Sequence, residues 1–226
     1  MDLFPLLNSL RIAAISTVLV FFLGLFFAYY IAKLPKVIKG ILDVILTLPL
    51  VLPPTVVGYL VLRLVGPRRV IGKFIQTIFG FTIPMTWWSA IIVTVIVIFP
   101  LMYRTARGAF ESFDNTLMYS GQTLGLSNSY IFWRIRLPYC RQGILAGTVL
   151  AFARALGEYG ATSMIAGYIP GHTATISTTV YALWKNNQDS EAFKWVLVNI
   201  AISAVVLLAV NLLERKERKA ANSSVS

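Results

Sequence analysis

Five apolar runs of roughly bilayer-spanning length dominate this sequence. They lie at about residues 12–32, 41–65, 87–103, 143–167 and 195–213. A helix needs about 20 largely apolar residues to cross about 30 Å of hydrocarbon. Only 13% of the residues are charged and the mean hydropathy is +0.74, whereas a soluble helical bundle carries about 25% charged residues. We therefore predict an all-α polytopic membrane protein with about five transmembrane helices, in which residues 1–226 form a single domain.

Basic residues indicate how the chain is oriented, because Lys and Arg accumulate in short cytoplasmic loops. The larger set falls on the side of the C-terminus: Lys33, Lys36, Lys39, Arg104, Arg107, Arg134, Arg136, Arg141, Arg215, Lys216, Arg218 and Lys219. The smaller set falls on the opposite side: Arg11, Arg63, Arg68, Arg69, Lys73, Lys185 and Lys194. This predicts an external N-terminus, a cytoplasmic C-terminus and a polar cytoplasmic tail at 215–226. It also explains the net charge of +11 without a nucleic-acid partner.

The sequence lacks the motifs of common enzymes and metal sites. Cys140 is the only cysteine and His172 the only histidine, so we expect neither a disulfide within the chain nor a metal site. The sequence contains no GxxxxGK[ST] phosphate loop and no Ser/His/Asp constellation. We predict that the chain carries no catalytic residue and binds no cofactor itself.

A polar, basic segment separates the third and fourth runs and reads YSGQTLGLSNSYIFWRIRLP over residues 119–138. Helical apolar spacing on both sides of Ser127 and Asn128 predicts a helix, a turn and a short helix outside the bilayer. The face formed by residues 130–133 would fit a groove on a partner protein. Alternatively, the helix lies on the lipid with Arg134 and Arg136 at anionic headgroups. The residues alone leave both interpretations open.

Charged residues, prolines and small residues mark the spans themselves. Arg154 and Glu158 are four residues apart, hence neighbours on one helix face, and ionisable groups within a bilayer usually face protein or a water-filled path. They either assist an anionic substrate or form a structural ion pair near the cytoplasmic end. Pro49, Pro53 and Pro54 interrupt the second run, either as part of a translocation path or as a static kink.

Small residues recur every four positions in the fourth run and form one smooth helix face, which allows close helix approach. They are Gly143, Gly147, Ala151 and Ala155. The face suits packing within the chain, the seam of a homodimer, or a mixture of the two, and the mixture is our prediction.

The polar segment resembles the EAA loop of ABC importer permeases. Nine residues separate Gly125 from Ile135, and Leu137 and Pro138 follow, which is the spacing of that loop. The Glu-Ala-Ala triplet of the loop is absent, and its positions are occupied here by Tyr119, Ser120 and Gly121. The stretches LPLVLPPTVVGYLVL, LAFARALGEYGAT and GYIPGHTATISTTVYAL are similar to molybdate permeases of this family. The resemblance covers about residues 7–214.

The resemblance implies a type I importer permease in the cell membrane that works as a homodimer. Residues 117–138 would couple it to two cytoplasmic ATPase subunits, which bind ATP and Mg²⁺, and an external binding protein would select molybdate for alternating access. Pro53, Pro54, Arg154 and Glu158 become candidates for the translocation path. A tungstate or sulfate importer is the alternative within the family. The alternative from another class, an ion-coupled secondary carrier, should have buried ion-coordinating acids or half-helices, whereas we identify Glu158 as the only mid-span acid.

Overall fold

The computed structural model describes the backbone of residues 2–223 and the side chains of residues 2–208. The regular elements of this part of the chain are all helical. They are α1 (Phe4–Ile31), α2 (Lys36–Val51), α3 (Pro54–Val65), α4 (Val70–Phe79), α5 (Trp87–Glu111), α6 (Asn115–Thr123), α7 (Asn128–Ile131), a π-helical turn (Phe132–Arg136), α8 (Leu137–Leu156), α9 (Gly160–Ile165), α10 (Ile176–Lys185) and α11 (Asp189–Ser223).

Helix α5 forms the centre of the bundle, with α1 on one side and α8 on another. Small side chains allow these helices to approach closely. A Cβ atom on Gly24 of α1 would lie 2.7 Å from Cγ of Met102 in α5, so only glycine fits there. Tyr103 and Phe110 of α5 are almost completely buried within this core, and a change of volume at either residue will disturb the packing of the whole bundle.

Three helices among the described residues are long and apolar enough to cross a membrane alone: α1, α5 and the 189–208 part of α11. Helices α2 and α3 reach this length only together, and they are bent by 111° at the break between them. The second run at 41–65 is therefore divided into two helices at its prolines. The physical cause is Pro53 followed by Pro54, which lack amide hydrogens, so the chain becomes extended at Leu52 and a new helix starts.

The fourth predicted span, 143–167, is also discontinuous. Helix α8 begins earlier, at Leu137, ends at Leu156, and is followed by a short break before α9. Between the second and third spans the chain forms α4, which is followed by Gly80 with a φ angle of +73°. The side chains of the basic tail at 215–226 lie outside the described residues, so its location stays a prediction.

Candidate functional site

The lateral segment between α5 and α8 has the predicted helix, turn and short helix. The Asp114 carboxylate accepts a hydrogen bond from the Thr116 amide at 2.8 Å and caps α6, and the Ser127 hydroxyl caps α7 by accepting from the Tyr130 amide at 3.2 Å. Gly125 lies between them with a φ angle of +76°, a conformation that favours glycine. Local capping and turn chemistry therefore explain this part of the fold.

The segment has an inner and an outer side. A Cβ atom on Gly121 would lie 3.2 Å from Cδ1 of Ile131 and 3.6 Å from Cδ1 of Ile135, so these residues form the contact between its two helices. Tyr119 and Trp133 are 60% and 65% exposed. Among the other candidates, Ser120 and Pro138 are exposed and Leu137 is half-buried.

The proposed docking face at residues 130–133 is only partly correct. Tyr130 and Trp133 are exposed, but Ile131 is buried and the Phe132 ring packs against Tyr29 of α1, with 4.6 Å between ring centroids. The periodicity of the segment indicated one apolar face. It did not indicate that half of this face is already covered, Phe132 by Tyr29 of α1 and Ile131 by Gly121 of α6.

A charged network joins α2 to the end of α5 nearest the lateral segment. The Arg107 guanidinium forms an ion pair with Asp43 and donates from Nε to Glu111 Oε1 at 2.9 Å, while Lys39 pairs with the same Glu111 carboxylate. The Tyr103 hydroxyl donates to Asp43. Arg107 is thus shared by two carboxylates from two helices. Lys39 and Arg107 were predicted only to orient the chain in the membrane, and neither was expected to pair with a carboxylate.

The two helix breaks meet in the middle of the fold. A Cβ atom on Gly160, at the start of α9, would lie 3.1 Å from Cβ of Pro54, at the start of α3. A Cβ atom on Gly58 would lie 2.8 Å from Cα and from the carbonyl oxygen of Ala161. Pro53 immediately precedes this contact and is the residue before α3. The structure therefore brings the two sequence-predicted proline positions next to the break that contains Glu158.

Glu158 is buried and uses both carboxylate oxygens. Oε1 accepts a hydrogen bond from the Ala161 amide at 2.8 Å, and Oε2 lies 2.7 Å from Nη1 of Arg154. The pair thus fixes the end of α8 to the start of α9. It lies about 25 Å along α8 from Leu137, at 1.5 Å per residue, and thus far from the lateral segment.

The face of small residues on α8 packs within the chain. Cβ atoms added to Gly143 and Gly147 would lie 2.7 Å from Cβ of Ala109 and 2.9 Å from Cβ of Thr105, both in α5. Ala151 and Ala155 on the same face are buried. Packing against α5 therefore accounts for the spacing that also suited a homodimer seam.

A cavity of about 480 Å³ opens beside the break between α8 and α9. Its lining is rich in hydroxyl, amide and amine groups and contains no carboxylate: Tyr159, Ser163, Tyr168, Thr178, Tyr181, Lys185 and Asn186 contribute, together with Gly167 and Ala182. The Ser163 and Thr178 hydroxyls already donate to the Gly160 and Thr175 carbonyls, whereas the Lys185 amine adds a positive charge, so the lining is compatible with an anion.

The fold thus combines long apolar helices, two interrupted segments, a capped lateral helix pair and a donor-lined cavity beside one of the breaks, and these features are those of a multi-pass membrane protein. Among the described residues, no group of three or more His, Cys, Asp or Glu side chains could hold a metal ion. The chain belongs to the binding-protein-dependent transport system inner membrane components, whose family model matches residues 20–219.

Curated relatives align over almost the whole chain. The chain is 39% identical over 216 residues to the molybdenum transport system permease protein ModB of Escherichia coli K12, covering 95% of this chain and 94% of that protein. It is 35% identical over 206 residues to the putative molybdenum transport system permease protein YvgM of Bacillus subtilis, covering 91% of each.

Solved structures show the same fold. A bacterial ABC transporter that imports the acidic polysaccharide alginate superposes with a TM-score of 0.78 at 21% identity, covering 95% of this chain and 79% of that chain. The methionine ABC transporter MetNI, in an inward-facing conformation, superposes with a TM-score of 0.72 at 13% identity, covering 94% of each. The predicted fold class, membrane location and family are confirmed: the chain is an ABC importer permease of the type I fold.

Proposed function

We propose that this chain is the permease subunit of an ATP-driven molybdate importer and works as a homodimer by alternating access. The observation that carries the proposal is the lateral segment, which is capped at both helices and directs Tyr119 and Trp133 outward. The identity of the substrate is supported by the two relatives described above, both of which are molybdenum permeases by name.

Two ATPase subunits, each binding ATP and Mg²⁺, dock on residues 117–138 of the two permease copies. Tyr119 and Ser120 provide the exposed contact, Gly121 and Gly125 give the segment its shape, and Ile135 anchors it internally. Leu137 and Pro138 continue into α8 without a loop, so displacement of the segment also displaces this helix. The expected orientation follows, with the segment and the 215–226 tail in the cytoplasm and residues 7–214 forming the transmembrane core.

An external binding protein delivers the oxyanion to the opposite side of the membrane. Pro53, Pro54 and the Glu158 break lie along the proposed path, and the donor-lined cavity that contains Ser163 and Lys185 receives the anion. The ion pair with Glu158 neutralises most of the charge on Arg154, which supports a structural role for this pair rather than direct binding of substrate. Because selection occurs in the binding protein, the permease needs only a weak, hydrated path.

Uptake into membrane vesicles that contain the chain, its ATPase subunit and its binding protein tests the proposal. We expect ATP-dependent molybdate uptake that excess tungstate suppresses and excess sulfate does not. Suppression by sulfate at equal concentration would reassign the substrate within the family. Uptake that continues without the ATPase subunit and follows an ion gradient would refute the importer mechanism.

A further inference from the structure

Arg136 turns inward, towards the bundle, although it lies in the lateral segment. Its guanidinium carbon lies 5.4 Å from the ring centroids of Tyr29 and Phe110 and 5.3 Å from that of Phe113. Its Nη2 donates a hydrogen bond to the Phe110 carbonyl at 3.1 Å, and its Nε is buried without an acceptor among the described residues. These contacts replace the lipid headgroup contact that the sequence allowed.

Phe132, four residues earlier in the same π-helical turn, binds the same aromatic surface. Its ring centroid lies 4.6 Å from that of Tyr29 and 6.3 Å from that of Phe110, and Tyr29 and Phe110 are 6.0 Å apart. Edge-on and tilted rings at such distances attract one another, and a cation within about 6 Å of a ring adds to the attraction. We call Tyr29, Phe110, Phe113, Phe132 and Arg136 the aromatic clamp.

The clamp joins three parts of the chain that are distant in sequence. Tyr29 is in the last turn of α1, Phe110 is in the last turn of α5, and Phe113 follows that helix. Phe132 and Arg136 are the first and last residues of the π-helical turn. A planar guanidinium is suited to this position because it stacks on rings and donates a directed hydrogen bond at the same time, whereas an ammonium group lacks the planar fork.

We propose that the aromatic clamp makes the lateral segment and the ends of α1 and α5 move as one rigid unit, and that Arg136 is the positioning residue that couples ATPase movement to the spans. This inference rests on the proposed function. Without the clamp, displacement of the segment by the ATPase is absorbed by deformation of the turn before it reaches the helices. ATP hydrolysis then continues while transport falls.

The test compares Arg136→Met with Arg141→Met in the complete transporter reconstituted into vesicles. Arg141 is exposed on the same stretch of chain and makes no ion pair or ring contact among the described residues. We expect Arg136→Met to lower the number of molybdate ions transported per ATP hydrolysed at least fivefold, with ATPase activity within twofold of wild type. Arg141→Met should leave this ratio unchanged, and Arg136→Lys should restore part of it. Equal ratios for the two methionine variants would overturn the proposal.

Hydrogen exchange of the backbone amides at residues 131–137 gives a second readout that does not depend on transport. We expect exchange in the purified protein to become at least tenfold faster in Arg136→Met and to remain unchanged in Arg141→Met. Phe132→Leu should act in the same direction if Arg136→Met fails to assemble. Unchanged exchange in Arg136→Met would refute the clamp, whatever the vesicles show. Absence of ATP-dependent uptake by wild-type vesicles would refute only the proposed function. Faster exchange with an unchanged transport ratio would overturn the coupling role.

Discussion

The contact between the two helix breaks should not tolerate a single added methyl group at Gly58. A Cβ atom there would lie 2.8 Å from Cα and from the carbonyl oxygen of Ala161, both backbone atoms, which cannot rotate away. Ordinary carbon contacts are at least about 3.5 Å, so α3 and α9 must separate by several tenths of an ångström. Such overpacking costs about 1–3 kcal/mol.

A matched control isolates this steric cost. Gly40 lies inside α2, and a Cβ atom added there would have no neighbour within 4 Å. Both Gly58→Ala and Gly40→Ala gain about 0.5–1 kcal/mol because alanine stabilises a helix interior relative to glycine. Their difference in free energy of unfolding should therefore equal the steric cost alone, about 1–3 kcal/mol.

Thermal unfolding of the purified protein measures the difference. For a chain of this size each kcal/mol shifts the midpoint by about 2–4 °C, so Gly58→Ala should unfold about 2–12 °C below Gly40→Ala. Molybdate uptake should fall with it, because the two breaks lie on the proposed path. Equal midpoints and equal uptake for the two variants would refute the close approach of α3 and α9.

Three further predictions concern single charged groups. Glu158→Gln should keep the hydrogen bond from the Ala161 amide and Glu158→Ala should lose it, so thermal unfolding should show the Ala variant less stable by about 1 kcal/mol, the typical contribution of a helix cap. Arg107→Met leaves two carboxylates without their shared partner and should lower the unfolding free energy in chemical denaturation by about 1–3 kcal/mol. Hydrogen bonds from Thr116 lower the pKa of the Asp114 carboxyl from its ordinary value of 3.8. Its stabilisation of α6 is therefore present above pH 3.8 and is lost as the pH falls through the lowered pKa. Amide exchange of α6 should show this pH dependence in the wild type and lose it in Asp114→Asn.

Features that depend on neighbouring residues in the sequence could be predicted. Ser127 before the short helix and Gly125 in the turn are local signals, and this part of the lateral segment has the form that they indicate. The interruption at Pro53 and Pro54 was also predictable, because proline removes a helix hydrogen bond wherever it occurs. Its consequence, a bend of 111°, depends on what α3 packs against.

Features that join distant parts of the chain could not be predicted from periodicity. Arg107 and Asp43 are 64 positions apart along the chain, and Arg136 is 107 positions from Tyr29, so no local pattern indicates that they meet. The charge pattern predicts on which side of the membrane Arg107 and Arg136 lie. It does not predict whether either side chain points towards the bundle or away from it. Asp43 was missed as a partner for the same reason.

Helix α8 connects the lateral segment to the break at Glu158, and its packing determines how movement passes between them. Its 20 residues form a continuous rod of about 30 Å. Gly143 and Gly147 pack it against α5, and the aromatic clamp holds the end of α5 to the start of the rod. On the proposed mechanism, displacement of the segment moves α5 and α8 together. The contact between α3 and α9, where Gly58 meets Ala161, is then where we expect the bundle to change, because it joins two short helices that begin at breaks in the chain.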